Sequence, residues 1–168
     1  YEMSPRGDKI LIRTNTEKIY RRSYKADYYI YTIKTTKLEQ LSDGGKQQAP
    51  LWSPDGNLIA FVRDNNIHLV KLLYDNAESQ VTTDGKFNEI INGIPDWINE
   101  EEFGNNSSMC FNADATMLCW VKYDESKVST YALQLFKGSN PTLNKYEKYP
   151  GVYAYKYPKA GETNSTVS

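Results

Sequence analysis

One turn recurs along this chain at wide intervals. Met3-Ser4-Pro5-Arg6-Gly7-Asp8-Lys9-Ile10-Leu11-Ile12 aligns with Trp52-Ser53-Pro54-Asp55-Gly56-Asn57-Leu58-Ile59-Ala60-Phe61, and Phe111-Asn112-Ala113-Asp114-Ala115-Thr116-Met117-Leu118-Cys119-Trp120 is a third, degraded copy. The offsets, roughly 49 and 59 residues, fall among the periods of propeller blades, each built from four short strands. Turn chemistry explains the repeat: Pro sets the backbone angle at the first corner, Gly supplies the positive angle at the close, and an apolar strand follows.

A second element recurs in step with the first. Leu38-Glu39-Gln40-Leu41-Ser42-Asp43-Gly44 matches Ser79-Gln80-Val81-Thr82-Thr83-Asp84-Gly85 in character, each closing a strand with an Asp-Gly turn. Alternating strands are expected at residues 27–33 and 67–72, with turns at Asp64-Asn65-Asn66 and Asp55-Gly56. The fold expected is therefore all-β, a partial β-propeller of about two to three four-stranded blades with one short helical insertion. That insertion covers residues 96–102, with Asp96 as N-cap. The longer connection 137–150 is the other departure from strand. Two to three blades leave two faces open, so residues 1–168 are expected to be one sector of a larger propeller domain. No closing strand is evident after Tyr157-Pro158-Lys159-Ala160-Gly161.

With three Trp, fourteen Tyr and five Phe, the chain can bury a real core. A net charge of −1 offers no concentrated basic surface, so nucleic acid is not an expected partner. No apolar run is long enough to cross a bilayer as a helix. Cys110 and Cys119 flank the third turn. They admit a cross-strand bridge in an oxidising compartment, but free buried thiols are the preferred reading. Neither has metal-site spacing, and the only histidine, His68, falls in an alternating pattern and reads as a strand side chain. No metal and no cofactor is expected.

Chemistry concentrates in two places. Asp96-Trp97-Ile98-Asn99-Glu100-Glu101-Glu102-Phe103 sets three adjacent carboxylates beside two aromatic residues. Such a group either lies in water on one exposed helical turn or, where it is partly buried, needs a cation or several donors to offset repulsion and lost hydration. Ile19-Tyr20-Arg21-Arg22-Ser23-Tyr24 places two guanidinium groups between tyrosines. That run reads either as a solvated, stacked surface patch or as a planar fork gripping a peptide carbonyl or carboxylate. Catalytic machinery is not legible. One histidine and no Gly-x-Ser-x-Gly elbow make no serine triad, and phosphate loops, zinc pairs and calcium loops are missing from the sequence. Glu101 and Glu102 as an acid–base pair for glycoside hydrolysis is disfavoured, because neighbours on a helix diverge by about 100°.

Taken together, Tyr20-Arg21-Arg22-Ser23-Tyr24, Trp52-Ser53-Pro54-Asp55-Gly56, Asn92-Gly93-Ile94-Pro95-Asp96-Trp97 with Glu100-Glu101-Glu102, and Tyr157-Pro158-Lys159-Ala160-Gly161 resemble the N-terminal propeller of the dipeptidyl peptidase IV family, among the prolyl oligopeptidase-type serine exopeptidases. The resemblance covers essentially the whole chain. It implies an eight-bladed propeller capping an α/β-hydrolase domain that holds the Ser, Asp and His triad and is not part of this chain, which is then inactive alone. It implies peptide substrates with a free N-terminus, cleaved after Xaa-Pro or Xaa-Ala. Glu101 and Glu102 would bind the substrate's α-amino group, and Arg21 the carbonyl of its penultimate residue. Arg22 follows directly, leaving two guanidinium groups as competitors for the cavity-facing position. The resemblance also implies a homodimer at full length, and a periplasmic or envelope location in a bacterium or a membrane-anchored extracellular one in a eukaryote. The competing reading is a non-catalytic propeller whose acidic helix binds a basic protein or peptide. Asn105-Asn106-Ser107-Ser108 and Asn164-Ser165-Thr166 match the N-glycosylation pattern, which matters only in a eukaryotic secretory context.

Overall fold

Two successive stretches, residues 2–40 and 48–80, each fold into the same unit, a four-stranded antiparallel meander. In the computed structural model, which describes residues 1–138 and 141–168, β1 (Glu2–Met3), β2 (Lys9–Lys18), β3 (Tyr24–Thr32) and β4 (Lys37–Gln40) pair in chain order. Strands β5 (Gln48–Trp52), β6 (Leu58–Arg63), β7 (Asn66–Lys71) and β8 (Ala77–Gln80) do the same. The repeated turns join the first two strands of each sheet. Gly7 N–H donates to the Ser4 carbonyl and Gly56 N–H to that of Ser53, both at 2.9 Å. Each serine hydroxyl accepts from the first backbone N–H of the next strand, Lys9 at 3.0 Å and Leu58 at 2.9 Å. Gly7 and Gly56 sit at φ 69° and 66°, where a side chain is disfavoured.

The third copy keeps this geometry with altered residues. Between β10 (Met109–Phe111) and β11 (Leu118–Trp120), Asn112 replaces the serine and accepts from Met117 N–H at 2.8 Å, while Ala115 occupies the glycine position at φ 59°. The rest of this third region does not form one sheet. β9 (Ile90–Asn92), β12 (Lys122–Asp124) and β15 (Thr166–Val167) make a three-stranded sheet ordered β15–β12–β9, and β13 (Thr130–Leu135) pairs with β14 (Gly151–Lys156) as a separate hairpin. β15 corrects the expectation that no strand follows residue 161. Its two residues are too few to show alternation, and it exists because β12 offers it a free edge. Residues 139 and 140, within the connection 137–150 read as non-strand, lie outside the described residues, and Pro141–Tyr146 form a 3₁₀ helix.

Side chains from consecutive sheets interlock. Leu11, Ala26, Tyr28 and Ile30 of the first sheet pack on Trp52, Ile59, Phe61 and Val70 of the second. Val62 and Ile67 on the second sheet's other face pack on Ile91, Ile94 and Tyr123, with Met109, Leu118 and Trp120 alongside. Strand β6 is thus covered on both faces, which is why Ile59-Ala60-Phe61-Val62 is unbroken apolar sequence and all four are fully buried. The resulting stack of antiparallel sheets around a staggered core is the propeller sector expected from the repeat. Buried Gln47 fixes the first two sheets together: it exchanges both backbone bonds with Ala26 at 3.0 and 2.9 Å, and its side-chain carbonyl accepts from Tyr28 N–H at 3.2 Å.

The cysteines differ from expectation. Cys110 and Cys119 are directly opposed across β10 and β11, and both are free and exposed rather than buried. Alternation along the hairpin explains this, since Met109, Leu118 and Trp120 take the face that meets the second sheet and the cysteines take the other. His68 lies in β7 as a strand residue, stacked on Phe61 at 5.3 Å between ring centres.

Candidate functional site

Strand β9 ends at Asn92, and the chain turns through Gly93, Ile94 and Pro95 into helix α1 (Trp97–Phe103). Asp96 caps it as expected, its extended backbone letting Oδ1 accept from Asn99 N–H at 2.9 Å. Ser165 Oγ donates to the other carboxylate oxygen and holds the cap from the chain's far end. Gly104 closes the helix at φ 70°, its N–H bonded to the Glu100 carbonyl at 2.9 Å.

A helical step of about 100° per residue sends the three consecutive acids in different directions. Glu100 turns inward beneath the helix and is 1% exposed. Its Oε1 accepts from two consecutive backbone amides of the loop between β2 and β3, Arg22 N–H at 2.7 Å and Ser23 N–H at 2.9 Å. Its second oxygen, Oε2, is buried and has no hydrogen-bond partner. Glu101 is half-buried and reaches Arg21, whose Nε donates to Glu101 Oε1 at 2.9 Å. Glu102 is exposed and makes no ion pair among the described residues. The Arg22 guanidinium lies over the helix end, where a β-carbon added to Gly104 would sit 3.4 Å from it. Of the two competing arginines, Arg21 is therefore the one brought to the acids' side chains. The structure brings Arg21 and Glu101 together, with Glu102 the next residue along the same helix.

Arg21 keeps 73% of its side chain in solvent. A pair so exposed contributes only about 0–1 kcal/mol to stability. The contact is a poor candidate for holding the fold together, and most of the guanidinium remains free to donate elsewhere.

Aromatic packing braces the base of α1. Trp97 stacks on Tyr157 with ring centres 4.2 Å apart and meets Tyr155 edge-on at 6.0 Å, while Tyr155 also contacts Tyr20 at 5.8 Å, next to Arg21. The hairpin β13–β14 and the segment after it thus hold both the helix and the arginine loop. Burial, then the hydrogen bond and charge of Tyr153, raise the Tyr20 hydroxyl far above the usual phenol range, so it stays protonated. Tyr20, Ser23, Pro95, Glu125 and Tyr153 help line a cavity of about 830 Å³. Burial and the neighbouring charge of Asp96, opposed by Lys156, push the Glu125 carboxyl up to about 7.

Elsewhere, Ser42, His68 and Glu78 come together in a different arrangement from a nucleophile and its base. Glu78 accepts from Ser42 Oγ at 2.5 Å and faces His68 Nδ1 at 2.9 Å, so the carboxylate lies between hydroxyl and imidazole, and Arg63 pairs with the same carboxylate at 2.6 Å. The cluster joins the outer edges of the first two sheets.

Sequence reading assigned no role to Glu100 and passed over the aromatic brace and Glu125. A signal for Glu100 was present, since Trp97 and Glu100 are three residues apart and must share a helix face.

A family model described as the dipeptidyl peptidase IV N-terminal region matches residues 4–168. A probable dipeptidyl-aminopeptidase B from Emericella nidulans is 39% identical over 173 residues, covering 98% of this chain and 19% of that protein. A probable dipeptidyl peptidase 4 from Aspergillus fumigatus is 37% identical, covering 99% and 21%. The chain thus spans about a fifth of the length of the curated relatives it matches. Among solved structures, that of Porphyromonas gingivalis dipeptidyl peptidase 4 superposes with a TM-score of 0.89 at 45% identity, over 99% of this chain and 22% of that one. A putative dipeptidyl aminopeptidase IV from Bacteroides ovatus matches at 21% identity with a TM-score of 0.58, a likeness of fold alone.

Proposed function

The chain belongs to the family of dipeptidyl peptidase IV N-terminal regions, and on that premise we propose that it is the substrate-recognition sector of a serine exopeptidase that removes Xaa-Pro or Xaa-Ala dipeptides from peptides with a free N-terminus. Glu101 and Glu102 bind the substrate ammonium, and Arg21 donates to the carbonyl of the penultimate residue. Bond cleavage belongs to a hydrolase domain of the same full-length protein. The observation that carries this reading is the 2.9 Å contact between Arg21 in the β2–β3 loop and Glu101 in α1, eighty positions apart, made at a surface where it adds little stability.

The arrangement suits an exopeptidase for a metric reason. With the ammonium held at the acids, an extended peptide advances about 3.3 Å per residue, so the bond after the second residue lies roughly 7 Å away and is the one presented to a fixed nucleophile. An acetylated N-terminus carries no charge and leaves the carboxylates without their cation, which rejects blocked peptides. Partial neutralisation of Glu101 by Arg21 weakens the competing picture of a purely acidic patch docking a basic protein. The same reading includes a homodimer of the full-length protein.

The test is substitution in the full-length protein. Glu101→Gln and Glu102→Gln are each expected to lower kcat/KM for a Gly-Pro substrate with a free amine by roughly 30-fold to several thousand-fold, the equivalent of about 2–5 kcal/mol. Unchanged cleavage by both variants would contradict the assignment.

A further inference from the structure

Glu100, the acid of the triplet that the proposed substrate contacts leave unused, is among the most buried carboxylates of the chain. We propose that it is a positioning residue: by gripping the backbone of the loop at Arg22 and Ser23, it sets the Arg21 guanidinium against Glu101. This inference rests on the reading of Arg21 and Glu101 as substrate contacts.

Three observations carry it. Both amides donate to one oxygen of Glu100, at 2.7 and 2.9 Å, which is the short, charge-assisted range and the arrangement of consecutive N–H groups that cradles an anion. Among the described residues the loop's other backbone hydrogen bonds stay within it, Ile19 N–H to the Ser23 carbonyl at 3.0 Å and Tyr20 N–H to Ser23 Oγ at 3.2 Å, while the Tyr20 ring packs on Tyr155. Those bonds shape the turn and the ring contact braces its start, while Glu100 ties the backbone at Arg22 and Ser23 to the helix. The order of contacts is also in register. The loop meets the helix with its direction reversed, Arg21 to Glu101 and the next two residues to Glu100, so a shift at Glu100 is transmitted to the adjacent pair.

The second oxygen of Glu100, Oε2, contributes nothing to the joint. It is buried without a hydrogen-bond partner, so among the described residues the two loop amides are all that orients this carboxylate. The backbone of the loop is joined to the helix through one oxygen atom. Such a joint tolerates loss of charge better than loss of reach. Gln keeps a carbonyl acceptor with two lone pairs at the same distance, whereas Asp withdraws it by one methylene.

The experiment uses the full-length protein and a chromogenic Gly-Pro substrate, with Arg21→Ala, Glu100→Asp, Glu100→Gln and the double variant Arg21→Ala/Glu100→Asp. Glu100→Asp is expected to lower kcat/KM by about 10- to 100-fold, mainly through KM, as misplacement of a contact does. Glu100→Gln should restore it to within several-fold of the parent. The double variant should be no worse than Arg21→Ala alone, because Glu100 acts through Arg21. Penalties that multiply in the double variant would overturn the proposal while leaving the substrate contacts intact. An Arg21→Ala variant with parental kcat/KM would instead remove the reading beneath it. Hydrogen exchange gives a check independent of any variant's folding: the Arg22 and Ser23 amides should be protected in the parent protein, and exchange at the rate of an open loop would overturn the proposal.

Discussion

Replacing Glu125 with glutamine should remove a loss of stability that the parent protein suffers in alkali. Glu125 follows β12, donates its backbone N–H to the Glu89 carbonyl at 2.8 Å, and is 6% exposed. Burial first, and then the negative charge of Asp96 at the helix cap, raise its carboxyl from the ordinary 4.5 to about 7, with Lys156 as the opposing positive neighbour. The folded state therefore holds this proton more tightly than the unfolded chain does. The stabilisation is fully present below pH 4.5 and is lost as pH rises through about 7. At 1.36 kcal/mol per pH unit the gap between 4.5 and about 7 is worth about 3 kcal/mol, felt in full as a cost of ionisation above pH 7. Glutamine is neutral throughout and avoids that cost. Urea unfolding of the full-length protein, followed by tryptophan fluorescence, should find parent and Glu125→Gln similar at pH 4.5 and the variant more stable by about 3 kcal/mol at pH 8.5. A difference between the two proteins that is the same at both pH values would refute the reasoning.

Two further expectations concern the backbone. Ala115→Gly relieves a left-handed alanine at φ 59° in the third turn and should stabilise the fold by about 0.5–1 kcal/mol, read from the urea midpoint; a loss of stability would show that the turn is not strained. Gly85→Ala would put a β-carbon 2.4 Å from the Asn65 carbonyl oxygen, a backbone atom with little room to move, and should destabilise by about 1–3 kcal/mol; a neutral effect would contradict the packing of that turn.

The parts of this fold legible in the sequence are those governed by local chemistry. Ser-Pro-x-Gly specifies a turn wherever it occurs, and the third copy was recognisable because Asn112 can accept the bond that Ser4 and Ser53 accept. Asp96 was recognisable as a helix cap because capping needs only the next three residues. The misjudged features depend on distant partners. β15 forms because β12 has a free edge, and the cysteines face outward because the other face of their hairpin meets the second sheet. The direction of Glu100 depends on two amides nearly eighty residues away. At the candidate site, Arg21, Glu101 and Glu102 were named from a motif, but motif spacing does not say which acid points inward. The period of the helix and the position of Trp97 decide that.

The most direct test is a crystal structure of the full-length protein with an Xaa-Pro dipeptide bound. The ligand's ammonium nitrogen is expected within hydrogen-bonding distance, about 2.7–3.2 Å, of carboxylate oxygens from both Glu101 and Glu102, with the Arg21 guanidinium on the dipeptide's backbone carbonyl. A dipeptide seated with its amino end away from α1, or with Glu101 and Glu102 turned to bulk solvent, would contradict it.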